Sequence, residues 1–467
     1  MAAVTNYDLV VLGGGSGGYA AALRAGELGL SVALIERDLV GGTCLHRGCI
    51  PTKALLHAAE VADATRDAGR FGVRATLEGV DLPAVNEYAQ QVVGRLHRGL
   101  NSLIAAQQIT VIAGEGRLEA GDGIPVVRVG EDLVPGAHAV LATGSYAKTL
   151  PGLEIDGHRV LTSEHALQLT TLPRRAVVLG GGVIGVEFAS AWRSFGVEVT
   201  VVEALPRLVA AEEPEVSAGL ERAFRKRGIT AATGTAFEHA EVSEDGVSVT
   251  LADKTVLEAD VLLVAVGRGP ATEGLGYSEA GVTLDRGFVS VDERLQTTAP
   301  GVYAVGDLVR GLQLAHRGFA HGIFVAEQVA HGMGRYESLP APVADREVPR
   351  VTYCDPEIAS VGLGEAAARE EYGEVETLRY DLAGNGKSQI LKTAGFVKLI
   401  RRAGGPVVGV HLLGSRVSEL VGEAQLITGW DAYPDEVASL VHAHPTQSEA
   451  LGEAHLALAG KPLHAHS

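Results

Sequence analysis

Cysteine is nearly absent, with three residues in a chain of 467. That excludes a disulfide scaffold, points to a reducing compartment, and makes any disulfide the chain forms a reactive one rather than a staple. Basic charge is also short. Lysine and arginine number 39 against 57 aspartates and glutamates, a formal net charge of −18, which argues against nucleic acid and anionic membrane surfaces and leaves a basic protein partner open. No apolar run is long: Ala176 to Val186 spans about eleven residues and is interrupted by Gly180-Gly181-Gly182, well short of the ~20 that a membrane helix needs. No basic region or apolar signal core precedes the strand pattern beginning at Tyr7, so a soluble, cytoplasmic protein is expected. Nor is a metal expected, since the terminal His464 and His466 are too few to ligate one. Glycine is what the chain has in plenty, 60 residues, many of them following apolar β-like runs where backbone can approach a ligand closely. The length suggests about three domains.

Two of the three cysteines fall within Gly41-Gly42-Thr43-Cys44-Leu45-His46-Arg47-Gly48-Cys49-Ile50-Pro51-Thr52-Lys53. On a regular helix, side chains five positions apart point roughly 140° from each other, so bringing these sulfurs together needs a distorted turn. Gly41, Gly42 and Gly48 permit one. Pro51 suits a first helical turn, where its missing N–H is not needed, and residues 53–60 continue as good helix formers. Cys49 is thus expected at a helix N-terminus, where the dipole and unpaired N–H groups favour a thiolate. Taken alone, the spacing favours a short structural disulfide or two buried thiols over a redox pair. Cys354 reads as a small buried hydrophobe.

The context is a duplicated βαβ pattern. Tyr7 to Leu12 reads as a strand, Gly13-Gly14-Gly15-Ser16-Gly17-Gly18 as a turn into a helix, and Val32 to Ile35 as a second strand ending at Glu36. Gly13 would make the turn, Gly15 admit a pyrophosphate, Gly18 allow close helix–strand packing, and Glu36 accept hydrogen bonds from a ribose. The pattern returns with Ala176 to Leu179, then Gly180, Gly182 and Gly185, then Val199 to Glu203. In both copies the interval from first glycine to acid is 23 residues. Each is followed by an apolar strand closing on glycine, at Gly144 and at Gly267. Two nucleotide sites beside one redox pair imply FAD plus a nicotinamide, one staying and one exchanging. Glu203 favours NAD because a carboxylate repels a 2′-phosphate. Arg207 nearby keeps NADP as an alternative.

Farther on, residues 302–305 read as a strand delivering Gly306-Asp307 to a sheet edge, where Asp307 can accept hydrogen bonds from ribityl hydroxyls. Residues 339–342 mark a linker, and strand patterns near 357–362, 395–400 and 407–413 then suggest an α+β assembly domain. It ends in His442-Ala443-His444-Pro445-Thr446-Gln447-Ser448-Glu449. Thr446 to Glu449 can be a capping box and nothing more, or Glu449 can orient His444 for acid–base work.

These motifs, in this order along the whole chain, resemble the flavoprotein disulfide reductases. The resemblance implies an α/β fold with two Rossmann-like dinucleotide-binding domains, for FAD and NAD, and a C-terminal α+β dimerisation domain. Residues 1–146 would form the first part of the FAD domain, 147–270 the NAD domain, 271–339 the return part, and 340–467 the interface domain. By position, Gly13, Gly15, Gly18, Glu36, Gly42, Thr43, Lys53, Gly144 and Asp307 would hold FAD, Gly180, Gly182, Gly185, Glu203 and Gly267 would hold NAD, and Glu187 would be a further cofactor-binding residue. Cys44 would be the interchange thiol and Cys49 the charge-transfer thiol. His444 would be the base and Glu449 its orienting partner, both supplied by the other subunit of a homodimer with a shared active site. Lys53 and Glu187 would lie near the reactive flavin nitrogen. Val183, where glutathione-type relatives tend to carry Tyr, and Glu203 favour the branch that oxidises protein-bound dihydrolipoamide with NAD+. Lipoyl domains and the peripheral subunit-binding domain of an acyltransferase core would then be its partners, within a 2-oxo acid dehydrogenase complex. Residues 45–48 and 315–322 depart from the usual pattern without removing a reacting group. The alternatives are a flavoprotein reductase of another disulfide or of quinones, and a non-catalytic assembly subunit. Against them stand the cysteine pair and the His–Glu pair.

Overall fold

The computed structural model describes residues 7–120 and 123–464; His466 lies outside them. Two compact units emerge, one of Met1–Leu55, Pro83–Lys148 and Arg268–Asp345, the other of Leu56–Leu82, Thr149–Gly267 and Arg346–Ser467. Residues 56–82 therefore belong with the second unit, apart from the stretch that precedes them.

In the first unit the strand Tyr7–Leu12 lies between Val32–Glu36 and the C-terminal half of Asp132–Leu141, parallel to both. Its four residues Leu9 to Leu12 are all buried, as an apolar run without alternation should be in a parallel sheet covered on both faces. Thr110–Ala113 extends the sheet beyond Val32–Glu36, and Val302–Ala304 extends it beyond Asp132–Leu141. The expected apolar strand closing on Gly144 is thus the tail of the longer Asp132–Leu141, whose first half pairs antiparallel with Val126–Val129. Helix Ser16–Glu27 packs against helix Ala315–Gly332 through small residues. A Cβ on Gly322 would meet the Gly17 carbonyl oxygen at 2.2 Å, so the two backbones approach as closely as glycine allows.

The second unit repeats the parallel plan, with strand order Thr230–Thr233, Glu198–Glu203, Arg175–Leu179, Val261–Val264, Val160–Leu161. Its C-terminal part is a five-stranded antiparallel sheet, Arg350–Thr352, Glu357–Gly362, Val407–Gly414, Phe396–Arg402 and Val375–Asp381 in spatial order. Helices Val421–Gly429 and Glu449–Leu458 share its hydrophobic core through Val421, Ala424, Ile427, Ala450, Leu451 and Ala454. The strand patterns expected for this region all form. Residues 339–342 carry no regular structure, in keeping with a linker, and Cys354 is buried.

A buried charge cluster ties this sheet to the helix Pro214–Arg227. Lys398, 4% exposed, places its ammonium 2.8 Å from carboxylate oxygens of Glu213, Glu215 and Glu365. Burial alone would lower the lysine's pKa, but the three carboxylates reverse the shift and raise it. Without the ammonium, Glu213 would be left buried as an uncompensated anion, a loss of about 3–5 kcal/mol. Lys398→Met should therefore lower the thermal and urea midpoints of the second unit at neutral pH by a corresponding amount; a midpoint within error of the parent would show that the cluster is not stabilising.

Candidate active site

The two glycine turns are near copies. Gly13 and Gly180 have φ of 102° and 104°, and a Cβ on either would sit 2.4 or 2.3 Å from the carbonyl oxygen of Ala142 or Ala265. Gly18 and Gly185 lie closer still: an added Cβ would be 1.8 and 1.9 Å from the carbonyls of Gly13 and Gly180. Gly15 and Gly182, by contrast, face open space at the N-caps of helices Ser16–Glu27 and Val183–Ser194. A cradle that admits no side chain behind and is open in front, at a helix N-terminus, fits a dinucleotide pyrophosphate. Glu36 accepts from the Gly14 N–H at 2.7 Å and the Asp38 N–H at 2.9 Å. Glu203 does the same with Gly181 at 2.7 Å and Leu205 at 2.8 Å. Each acid thus braces its turn from the end of the second strand. Arg207, the residue that kept NADP open, donates to the carbonyls of Ala210 and Glu212.

The cysteine loop is laid directly on the first of these turns. Gly41 donates to the Gly14 carbonyl at 2.8 Å, and a Cβ on Gly42 would meet the Gly15 Cα at 2.6 Å. Helix Gly42–Arg47 stops at Gly48, with φ −138° and ψ −106°, and helix Cys49–Asp67 starts afresh. The break removes the angular separation that one continuous helix would impose, and puts Cys49 at an N-terminus as expected. The pair stands as thiols, with no disulfide joining them. Hydrogen bonding with Cys49, then burial, raises the Cys44 pKa, and Lys53 acts in the opposite sense. Tyr19 is a neighbour that the sequence does not flag: burial and then the two sulfurs push its phenol up to about 12. The unusual residues between the cysteines bond locally, Arg47 pairing with Asp38 and His46 Nε2 lying 3.0 Å from the Val40 carbonyl.

Asp307 sits in a single 3₁₀ turn, Gly306–Leu308, after the strand Val302–Ala304. It accepts from Ser145 Oγ at 2.5 Å, and Ser145 Oγ accepts in turn from Arg268 Nε at 2.7 Å. Neither Ser145 nor Arg268 stands out in the sequence beyond following Gly144 and Gly267, whose φ values of 75° and 104° mark the strand ends. The departures at 315–322 find a use here. Arg317, 3% exposed, donates to the carbonyls of Arg310 and Leu312 and pairs with Asp345 at 2.5 Å. His321 Nδ1 accepts from the Gly306 N–H at 3.4 Å, and burial, aided by Arg317, holds its pKa down to about 4, so it is neutral. Both residues fasten the turn that carries Asp307.

In the second unit Glu187 is buried and accepts from the Tyr353 N–H at 2.9 Å. His444 precedes Pro445 through a cis peptide bond, and its side chain is 75% exposed. Its Nδ1 lies 2.8 Å from Glu449 Oε1, while Glu449 Oε2 accepts from the Thr446 N–H at 2.8 Å and Thr446 Oγ1 accepts from the Glu449 N–H at 3.4 Å. Capping and orienting are therefore both present in one carboxylate. Burial works against the charged form, yet the Thr446 N–H and His444 hold the Glu449 pKa below its usual value. With Nδ1–H given to that carboxylate, Nε2 is the nitrogen left to take a proton.

Two dinucleotide cradles, a dithiol at a helix N-terminus and a carboxylate-oriented histidine define an oxidoreductase that exchanges a dithiol and a disulfide against a pyridine nucleotide. Residues 7–322 match the family model described as pyridine nucleotide-disulphide oxidoreductase, and residues 348–455 match its dimerisation domain. The chain belongs to this family, which uses FAD and NAD, and the dimerisation domain supports a homodimer. It is 39% identical to the dihydrolipoyl dehydrogenase of Bacillus subtilis, over 98% of this chain and 99% of the relative. It is also 39% identical to that of Chlorobaculum tepidum, over 96% of each. Among solved structures, LpdA from Mycobacterium tuberculosis superposes with a TM-score of 0.89 at 28% identity, covering 96% of this chain and 99% of that one. Among the described residues no helix is long and apolar enough to cross a membrane, and no group of three or more His, Cys, Asp or Glu is placed to hold a metal ion.

Glu203→Arg should shift nucleotide preference toward NADPH by about tenfold or more, near 1.4 kcal/mol, read as kcat/KM for NADPH against NADH with one acceptor. An unchanged ratio would remove Glu203 as the selector.

Proposed function

We propose that the enzyme oxidises dihydrolipoamide, carried on a lipoyl domain, to lipoamide, with NAD+ as final acceptor. The observation that carries this reading is the Cys44–Cys49 pair lying on the first dinucleotide turn through Gly41 and Gly42. The relatives named dihydrolipoyl dehydrogenase, matched over nearly their full length, support it.

In the oxidised enzyme Cys44 and Cys49 share a disulfide. Nε2 of His444 takes the proton from one substrate thiol, and the thiolate attacks Cys44 Sγ. The Cys44–Cys49 bond breaks as a mixed disulfide forms, and Cys49 leaves as a thiolate favoured by its helix N-terminus. The second substrate thiol then attacks the substrate sulfur of the mixed disulfide, closing the lipoamide ring as the bond to Cys44 breaks, and its proton passes to the departing Cys44, which returns as a thiol. The chain's dithiol thereby holds the electron pair. The chemistry that bound FAD and a nicotinamide would supply is two-electron acceptance from this dithiol. Gly13, Gly15, Gly18, Glu36, Gly42, Thr43, Lys53, Gly144 and Asp307 would hold the first and Gly180, Gly182, Gly185, Glu203 and Gly267 the second, while Glu187 would serve with Lys53 on the flavin side.

In the homodimer, His444 and Glu449 of one subunit serve the cysteine pair of the other, consistent with an imidazole presented outward. The net charge of −18 suits docking to a basic peripheral subunit-binding domain of an acyltransferase core, and the setting is cytoplasmic.

Cys44→Ser should abolish dihydrolipoamide-driven NAD+ reduction while leaving FAD bound; retained lipoamide turnover would sink the assignment. His444→Ala should slow the dithiol half-reaction by about 10²–10⁴-fold with reduction by NADH little changed, measured by stopped-flow absorbance of each half separately. An unaltered dithiol rate would leave capping as the whole role of the segment.

A further inference from the structure

Behind the His444–Glu449 pair lies a second pair of the same kind. His442 Nε2 is 2.7 Å from Glu423 Oε1, on helix Val421–Gly429. The two imidazoles of His442-Ala443-His444 differ sharply in setting, since the His442 side chain is 12% exposed against 75% for His444. The ring of His442 rests on helix Glu449–Leu458, where a Cβ on Gly452 would meet its Nδ1 at 2.6 Å and its Cε1 at 2.9 Å. Only glycine at 452 lets the imidazole lie there, and the helix beneath it is the one whose first residue is Glu449. So one helix start is braced from two sides, by Thr446 through its N–H and by His442 through its ring.

The charges in this corner are few, and they separate clearly. Glu423 faces His442 from one helix; Glu449 and His455 face it from the other; His444 follows on its own segment. His455 is fully buried with its Nδ1 2.6 Å from the Leu451 carbonyl oxygen, and burial holds its pKa down to about 4, so it contributes no charge at neutral pH. His442 goes the other way: its bond to Glu423 raises its pKa and stabilises the imidazolium, and Glu449 adds to the effect. Glu449 in turn has its pKa lowered in part by His442.

We propose that the His442–Glu423 pair is a positioning element of the acid–base centre, holding the helix start that carries Glu449 and balancing the negative charge placed beside His444. The proposal rests on the dithiol-oxidising reading above. Its sign follows from counting charges. With both partners ionised the pair is neutral overall. His442→Gln leaves Glu423 as an additional anion, so the base near it holds its proton more tightly. Dithiol oxidation requires that base unprotonated, so the acidic limb of its pH profile should move up. Glu423→Gln removes an anion and leaves either a bare imidazolium or a neutral ring, so the same limb should stay or move down. A role in packing alone predicts no such opposition, since each glutamine variant alters one partner of the same hydrogen bond and either amide can still make it.

The test uses the full-length FAD-loaded dimer. The rate of enzyme reduction by dihydrolipoamide is followed by stopped flow from pH 5.5 to 9 in wild type, His442→Gln, Glu423→Gln and the double variant, with reduction by NADH as the control. The expected result is an upward displacement of the acidic limb by about half a pH unit in His442→Gln, no upward displacement in Glu423→Gln, and NADH profiles that superimpose. In parallel, histidine-labelled enzyme is titrated by NMR, where the His444 ring should show the same displacement without any substrate. Equal losses at every pH, with the limb and the NMR midpoint fixed, would overturn the proposal and leave packing as the sole role. A wild type that ignores dihydrolipoamide while its His444 midpoint still moves in His442→Gln would overturn the substrate assignment and leave the pair's action on His444 standing.

Discussion

The arrangement depends on a close approach of backbone to backbone. Between the turn at Gly13 and the helix beginning at Ser16 there is no room for a side chain, because a Cβ on Gly18 would lie 1.8 Å from the Gly13 carbonyl oxygen. That contact sets the helix onto its strand with its first N–H groups pointing past Gly15 into open space, the arrangement an anion requires. Glu36 locks the turn from the far strand through the Gly14 N–H. The cysteine loop is then positioned by the same surface, since Gly41 bonds to Gly14 and Gly42 touches Gly15. The redox pair takes its place from a patch defined by missing side chains.

Charge is kept where it has a use and removed elsewhere. The Cys44 thiol is held protonated by its bond with Cys49 and by burial, while Cys49 has the helix N-terminus behind it. Around the Asp307 turn the one buried cation, Arg317, is paired with Asp345 and committed to carbonyls, and His321 is uncharged. At the other end of the chain Glu449 serves at once as helix cap and as partner to His444. One carboxylate with two oxygens fills both roles because the cap uses Oε2 and the imidazole uses Oε1.

Much of this was legible from residue types and spacing. Both βαβ units form where glycine spacing and apolar runs place them, and the equal intervals to Glu36 and Glu203 become equal hydrogen-bond patterns. Local rules suffice there, since the turn, the helix cap and the acid lie within one supersecondary unit. Less legible were residues whose roles come from distant chain. Ser145 and Arg268 are 123 positions apart yet bonded. Tyr19 reads as an ordinary helix position until the cysteine loop folds over it. His442 reads as the lesser member of a His-x-His until Glu423, 19 positions away, supplies its partner. The departures at Arg317 and His321 raise doubts in the sequence alone, whereas the fold shows them fastening the turn at Asp307.

The sequence by itself determined the two glycine turns and the position of Cys49 at a helix start, because each rests on local rules in which steric exclusion and hydrogen-bond geometry act directly on the pattern, whereas the residues alone left the pairing of His444 with Glu449 open. Tertiary structure alone decided which ionisable groups carry charge. Whether an imidazole or a thiol is charged depends on burial and on partners brought in by the fold, as Glu423 for His442 and burial for His455 and His321, and no spacing in the chain encodes that desolvation.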